Sequence, residues 1–191
     1  MTTGSPPLYL VRHGATEWTA TGQHTGRTDL PLIAEGRAQA AALYRPLDRQ
    51  PFAAAFTSPL LRARDTARIA GFAAAEVLDD LQEWDYGAYE GRTTPEIREE
   101  IPGWSVWTHE VVDGESLGQV AARAERALAR VSAVDGPVVL FAHAHILRIL
   151  TACALELGAP AAQRLALDAA TISVIGHEHD YRALRLWNQA P

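Results

Sequence analysis

The stretch "LVRHGATEW", residues 10–18, completes a short apolar run begun at Leu8 and then passes straight into an Arg, a His and a Gly. Leu8–Val11 reads as a buried strand. Packing alone does not explain a buried strand that stops on two basic side chains, because burying cations without a counter-anion is costly. Gly14 allows another backbone to come close. A second strand has the same design: "GPVVLFAH", residues 136–143, is apolar up to His143.

Working outward, "FAAAFT" (52–57) is bounded by Pro51 and by Ser58-Pro59, which favours a strand. A helix is expected from Pro59 to about Ala70, with Gly71 past its end. Residues 34–48 are Ala-rich and helical, with Pro46 expected to break the last turn. Glu76–Leu78 is a short strand candidate. Glu115-Ser116 signals a helix running to about Val131, and "ILRILTACALEL" (146–157) continues helically to Gly158. "ATISVIG" and "YRALRLW" flank "HEHD" (177–180) and predict a hairpin or two neighbouring strands.

Strands alternating with helices predict one α/β domain over residues 1–191. It is expected to be a three-layer α/β/α sandwich with a mostly parallel central sheet. Residues 80–114 stand apart: five Trp and Tyr residues, four glycines and two prolines form a long excursion, expected to hold a short helix around Pro95–Glu100. Such excursions serve as lids or binding loops, or pack as a satellite core.

Composition narrows the chemistry. A chain of 191 residues with 48 % apolar and 21 % charged residues is ordinary for a globular domain. The net charge of −6 argues against a nucleic-acid surface. No apolar run is long enough for a membrane span, and the N-terminus lacks the pattern of a signal peptide. With Cys153 as its lone cysteine, the chain is expected to be cytoplasmic. All 17 basic residues are Arg, so a P-loop lysine or a Schiff-base lysine is excluded.

Ligands of open α/β sheets sit beyond the carboxyl ends of the strands. His13 and His143 end two strands, and Arg62 in "SPLLRARDT" lies near the start of a helix after a third. With Arg12, these side chains are expected to surround one dianion, for which the guanidinium fork is well shaped.

These blocks resemble the histidine phosphatase superfamily, the phosphoglycerate-mutase-like family. "RHGATEW", "SPLLRARDTA", "LQEWDYGAYEG" and "VVLFAHAHILR" fall in the family's order over nearly the whole chain. The chain looks most like the branch of small acid phosphatases and sedoheptulose bisphosphatases. The resemblance implies a phosphoric monoester hydrolase acting through a phosphohistidine, without cofactor or metal. His13 would be the nucleophile, and Arg12, Arg62 and His143 would hold the phosphate. Glu83 would protonate the leaving alkoxide, with burial beside Trp84 expected to raise its pKa and set an acidic rate optimum.

Thr19, His24, Thr25, Gly26 and Ala144 are assigned to substrate binding. Thr19 stands where the family commonly has Asn, Ala144 where it has Gly, and Ala15 where it is often acidic. Ile33 replaces a helix-capping Thr. The expected partner is a small phosphorylated metabolite, with no nucleic acid and no membrane; a homodimer is left open. The alternatives are a cofactor-dependent phosphoglycerate mutase, disfavoured because Trp84 and Asp85 follow Glu83, and a non-catalytic binding module of the same fold. A metal hydrolase built on His143, His145, His177, His179 and Asp180 is a further rival.

Overall fold

The computed structural model describes residues 6–191. The signal-peptide reading rests in part on residues 1–5, which lie outside the described ones. Six strands form one sheet: β1 (Leu8–Arg12), β2 (Ala54–Thr57), β3 (Glu76–Val77), β4 (Val138–Ala142), β5 (Ile172–Glu178) and β6 (Tyr181–Gln189). Their order across the sheet is β3-β2-β4-β1-β5-β6. The first four are parallel, and β5 and β6 complete the sheet antiparallel.

The helices are α1 (Glu17–Thr21), α2 (Ala34–Ala42), α3 (Tyr44–Asp48), α4 (Leu61–Ile69), α5 (Thr94–Glu100), α6 (Leu117–Ser132) and α7 (Ala144–Ala154). No described helix is long and apolar enough to cross a membrane.

Strand β4 is buried at every residue because both faces of the sheet are covered. Val138, Leu140 and Ala142 turn towards one core with α6 and α7; Val139 and Phe141 turn towards the other with Leu43, Leu47 and Ala67. The chain therefore builds the three-layer α/β/α arrangement read from its strand and helix alternation. Strands β1 and β4 run in register, Arg12 opposite Ala142. His13 and His143 consequently leave the sheet side by side at its carboxyl edge.

One local expectation needs correction, and of the two readings of the aromatic insert the packed one holds. Pro46 does not end a helix: the break comes at Leu43, and Pro46 lies early in α3. A residue without an N–H is tolerated in a first turn, where that group has no intrahelical partner. The aromatic residues of 80–114 are not a free cover. Trp84, Trp104 and Tyr86 are among the most deeply buried side chains, and they join the core under α6 and α7. Large rings there gain more from burial than a mobile lid would allow. Helix α5 anchors the insert through Ile97, which is buried in the same core, and Thr93 at its start bridges to Gln23.

Candidate active site

Close packing of glycines brings the site together. A Cβ on Gly14 would meet the Gly36 carbonyl oxygen at 2.3 Å, and one on Gly36 would meet the Ala15 carbonyl oxygen at 2.0 Å. The turn after β1 thus rests directly on the first turn of α2. The Gly14 N–H donates to Thr66 Oγ1 on α4 at 3.1 Å, which ties three elements around His13.

His13 is almost fully buried, and its Nδ1 lies 2.7 Å from the Gly14 carbonyl oxygen. A carbonyl only accepts, so Nδ1 must carry the hydrogen and Nε2 keeps its lone pair. Burial, followed by the positive charges of Arg62 and Arg12, holds the ring's pKa well below the usual histidine value. The ring is neutral at neutral pH, as a nucleophile must be.

The rings of His13 and His143 lie 5.0 Å apart. His143 Nδ1 accepts from Arg62 Nε at 3.1 Å, which leaves Nε2 to donate to Ser58 Oγ at 2.7 Å. Arg62 also donates to the carbonyls of Thr28, Thr25 and Gly26. Four of the five guanidinium N–H groups are thereby engaged. Arg62 and His143 are fully buried beside His13, and Arg62 clamps the 25–28 loop.

Arg12 differs. Its Nη1 donates to the Leu167 carbonyl, but its Nε is buried with no partner. Arg12 is also a residue of the cleft wall, and a guanidinium there with an unpaired N–H suits an anion.

Glu83 sits opposite. Oε1 accepts the N–H of Trp84 at 2.9 Å and of Ile146 at 3.0 Å, and Oε2 accepts the N–H of His145 at 2.9 Å. Two of these donors belong to the first turn of α7, where N–H groups lack intrahelical partners and the helix dipole favours an anion. Burial works against the charge, but the His145 side chain, His143 and these N–H bonds hold the carboxyl well below its usual range. The expectation of a raised Glu83 pKa is thus reversed. Trp84 does bury the carboxylate, but the helix terminus solvates it.

Behind Glu83, Arg123 donates to the carbonyls of Asp80, Gln82 and Glu83 and forks onto the Glu115 carboxylate at 2.7 and 2.8 Å. This holds the Glu83 segment onto α6.

An open cleft lies in front of these groups. Arg12, His13 and Glu83 line it, as do the expected residues Thr19, His24, Thr25 and Ala144. Gly26 does not. It is buried, with its N–H on Glu90 and its carbonyl on Arg62, and a Cβ there would strike the Trp84 carbonyl at 2.4 Å. Its place reflects close packing of the loop.

The cleft also holds Tyr86, His145 and Arg148, which motif reading did not assign to it. His145 and Arg148 follow Ala144 within the first turns of α7, so helical spacing was an available signal. Arg148 stacks on Trp107, 4.6 Å from the ring centre, and donates to the Ala162 carbonyl. His145 Nδ1 pairs with the Tyr86 hydroxyl at 2.6 Å. Burial, then the neighbouring His145, lowers the His24 pKa to about 4.

The imidazoles proposed for a metal do not converge. His143 turns to Arg62 and Ser58, His145 turns to Tyr86, and His179 is exposed on the β5–β6 turn. Among the described residues, no group of three or more His, Cys, Asp or Glu side chains is placed to hold a metal ion.

A family model described as the histidine phosphatase superfamily (branch 1) matches residues 8–190. An acid phosphatase of Mycobacterium tuberculosis is 40 % identical over 183 residues, covering 93 % of this chain and 89 % of the relative. The sedoheptulose 1,7-bisphosphatase of Saccharomyces cerevisiae is 35 % identical over 188 residues, covering 81 % and 69 %. The solved structure of the M. tuberculosis open reading frame Rv3214 is 38 % identical with a TM-score of 0.93, covering 97 % of this chain and 98 % of that one.

Proposed function

The chain belongs to the histidine phosphatase superfamily, branch 1, and is a phosphoric monoester hydrolase. From that premise we propose that it hydrolyses small phosphorylated metabolites, sugar phosphates foremost, in two steps through phospho-His13. Arg12 and the α7 N-terminus at Ala144 receive the phosphate oxygens, with Thr19 beside them. His13 Nε2 attacks phosphorus in line. Arg62 supplies positive potential to the ring, and His143 holds the Arg62 guanidinium in place.

Glu83 serves the leaving group and then the water. Empty, the site keeps Glu83 ionised; an arriving phosphate dianion is a like charge and raises its pKa, so the carboxyl gains a proton when one is needed. The observation that carries this reading is the His13 Nδ1–H bond to Gly14, which leaves Nε2 free for attack.

A leaving group rich in hydroxyls suits the rest of the cleft. His24, Tyr86 and His145 offer hydrogen-bonding rings, and Arg148 a single cation. The location read for the chain is the cytoplasm. The charge of the reaction is met by guanidinium and backbone N–H groups, so turnover is expected to persist in EDTA.

Rapid quench in alkali after mixing with substrate tests the mechanism. Acid-labile, alkali-stable phosphate on the parent enzyme, absent from His13→Ala, is the expected result. Ranking phosphorylated metabolites by kcat/KM identifies the substrate class, and 2- and 3-phosphoglycerate in the panel report mutase activity directly.

A further inference from the structure

The two oxygens of Glu83 are not equivalent. Oε1 accepts two backbone N–H bonds, from Trp84 and Ile146, whereas Oε2 accepts one, from His145. A carboxylate oxygen has two lone pairs, so Oε1 is filled and a proton can ride only on Oε2. The titratable side-chain atom beside Oε2 is Nδ1 of His145, at 3.8 Å. That same nitrogen bonds the Tyr86 hydroxyl, and the ring is wedged against Trp107 at the cleft wall.

Resting on the phosphatase reading, we propose that Glu83 and His145 work as one proton-holding pair, with His145 the store that loads Oε2. Glu83 is the catalytic acid; His145 is a positioning residue that acts through it, and the Tyr86 hydroxyl holds Nδ1 within reach.

The protons balance over the cycle. As His13 Nε2 bonds phosphorus, the ester P–O bond breaks and its electron pair goes to the leaving oxygen, which takes the proton from Oε2. That proton is the one Oε2 drew from Nδ1–H of the His145 imidazolium as substrate arrived, so Tyr86 turns from acceptor to donor and Oε2 is left ionised, a base for the second step. In the second step a water oxygen bonds phosphorus as the P–N bond breaks, and its proton passes through Oε2 back to Nδ1. One proton is lent and one returned, and phosphate departs with the water's hydroxyl.

The groups facing His145 set when the pair is loaded. The Glu83 charge favours the imidazolium, while burial, Arg148 and Arg12 oppose it. Burial and the Glu83 and Glu90 charges keep the Tyr86 phenol protonated, so it does not compete for the proton. His24, the other ring on that wall, stays neutral down to about pH 4. The pair therefore loads on the acid side of neutral, and its two apparent pKa values belong to the pair.

The test compares alkyl phosphates, whose alkoxide needs the proton, with para-nitrophenyl phosphate, whose phenolate barely does. In His145→Gln the ratio of alkyl to aryl kcat is expected to fall about tenfold or more, within the range of general acid catalysis. The inflection at which the alkyl rate falls as pH rises is expected to move with it. Tyr86→Phe keeps the ring packing and is expected to displace the same inflection, which decides the matter alone if the His145 variant does not fold. A ratio and profile equal to the parent's in these variants would overturn the pair. Absence of the acid-labile phosphoenzyme from the parent would overturn the underlying reading as well.

Discussion

A carboxylate that accepts three backbone N–H bonds gives up its charge reluctantly. Glu83 is in that position, so a raised resting pKa cannot be what makes it an acid. An acidic rate optimum still follows, by a different route: the second ionisation of a phosphomonoester lies near pH ~6, so below it the substrate itself brings a proton. Replacing Glu83 by Gln is expected to cut kcat on alkyl phosphates by roughly 10²–10⁴-fold, with a much smaller loss on para-nitrophenyl phosphate, as steady-state kinetics would report. At Gly14, the neighbouring carbonyl at 2.3 Å is rigid backbone, so Gly14→Ala must displace the turn that carries His13. A loss of activity beyond tenfold is expected, with soluble protein retained. Sequence reading anticipated a close approach at Gly14 but not its partner, because Gly36 becomes a neighbour only when α2 docks.

Elements followed local chemistry wherever local chemistry was strong. Helix α6 begins where Ser116 signals it, and the structure completes the signal as a capping box with Gln119. Ser116→Ala is expected to cost about 0.5–2 kcal/mol in urea unfolding without touching the cleft. Helix α7 faces the core with Leu147 and Leu150, both fully buried. Leu150→Ala is expected to cost about 2–5 kcal/mol, since a cavity remains beside the sheet. Helix α1 and the place of Pro46 escaped the reading. The first is a five-residue helix capped by Thr16 and ended by Gly22 in the left-handed region, too short for periodicity to reveal. The second depends on a break at Leu43, whose side chain is pulled into the core beneath β1 and β4. The aromatic insert was visible as an insert, but the choice between lid and packed core was not. Rings on a lid and rings in a core have the same composition.

Among the described residues, the fold lowers the pKa of four histidines, His13, His24, His143 and His145, below their ordinary 6.5, so all four rings are neutral at pH 7. Below pH 6.5 the unfolded chain binds protons that the native site refuses, so stability falls as pH drops from 6.5 towards each folded value, about 4 for His24. Glu83 acts in the same direction at lower pH, its contribution being present above 4.5 and lost as pH falls through its depressed value. The urea midpoint is therefore expected to decline from pH 7 to 5.5 to 4; a flat midpoint would contradict the buried, neutral state of these rings. By itself the sequence determined the alternation of strands and helices, the two strand-terminal histidines and the basic residues near them. These are properties of contiguous residues and of periodicity, whereas Glu83 was reached only through the likeness of its motif to the histidine phosphatases. Tertiary structure alone decided that Arg62 and His143 pair with each other beside His13, and that Arg12, Tyr86 and Arg148 line the cleft. It also decided that Glu83 rests on a helix terminus. Charge states and donor inventories depend on which groups meet across the folded chain, and no local pattern encodes that meeting.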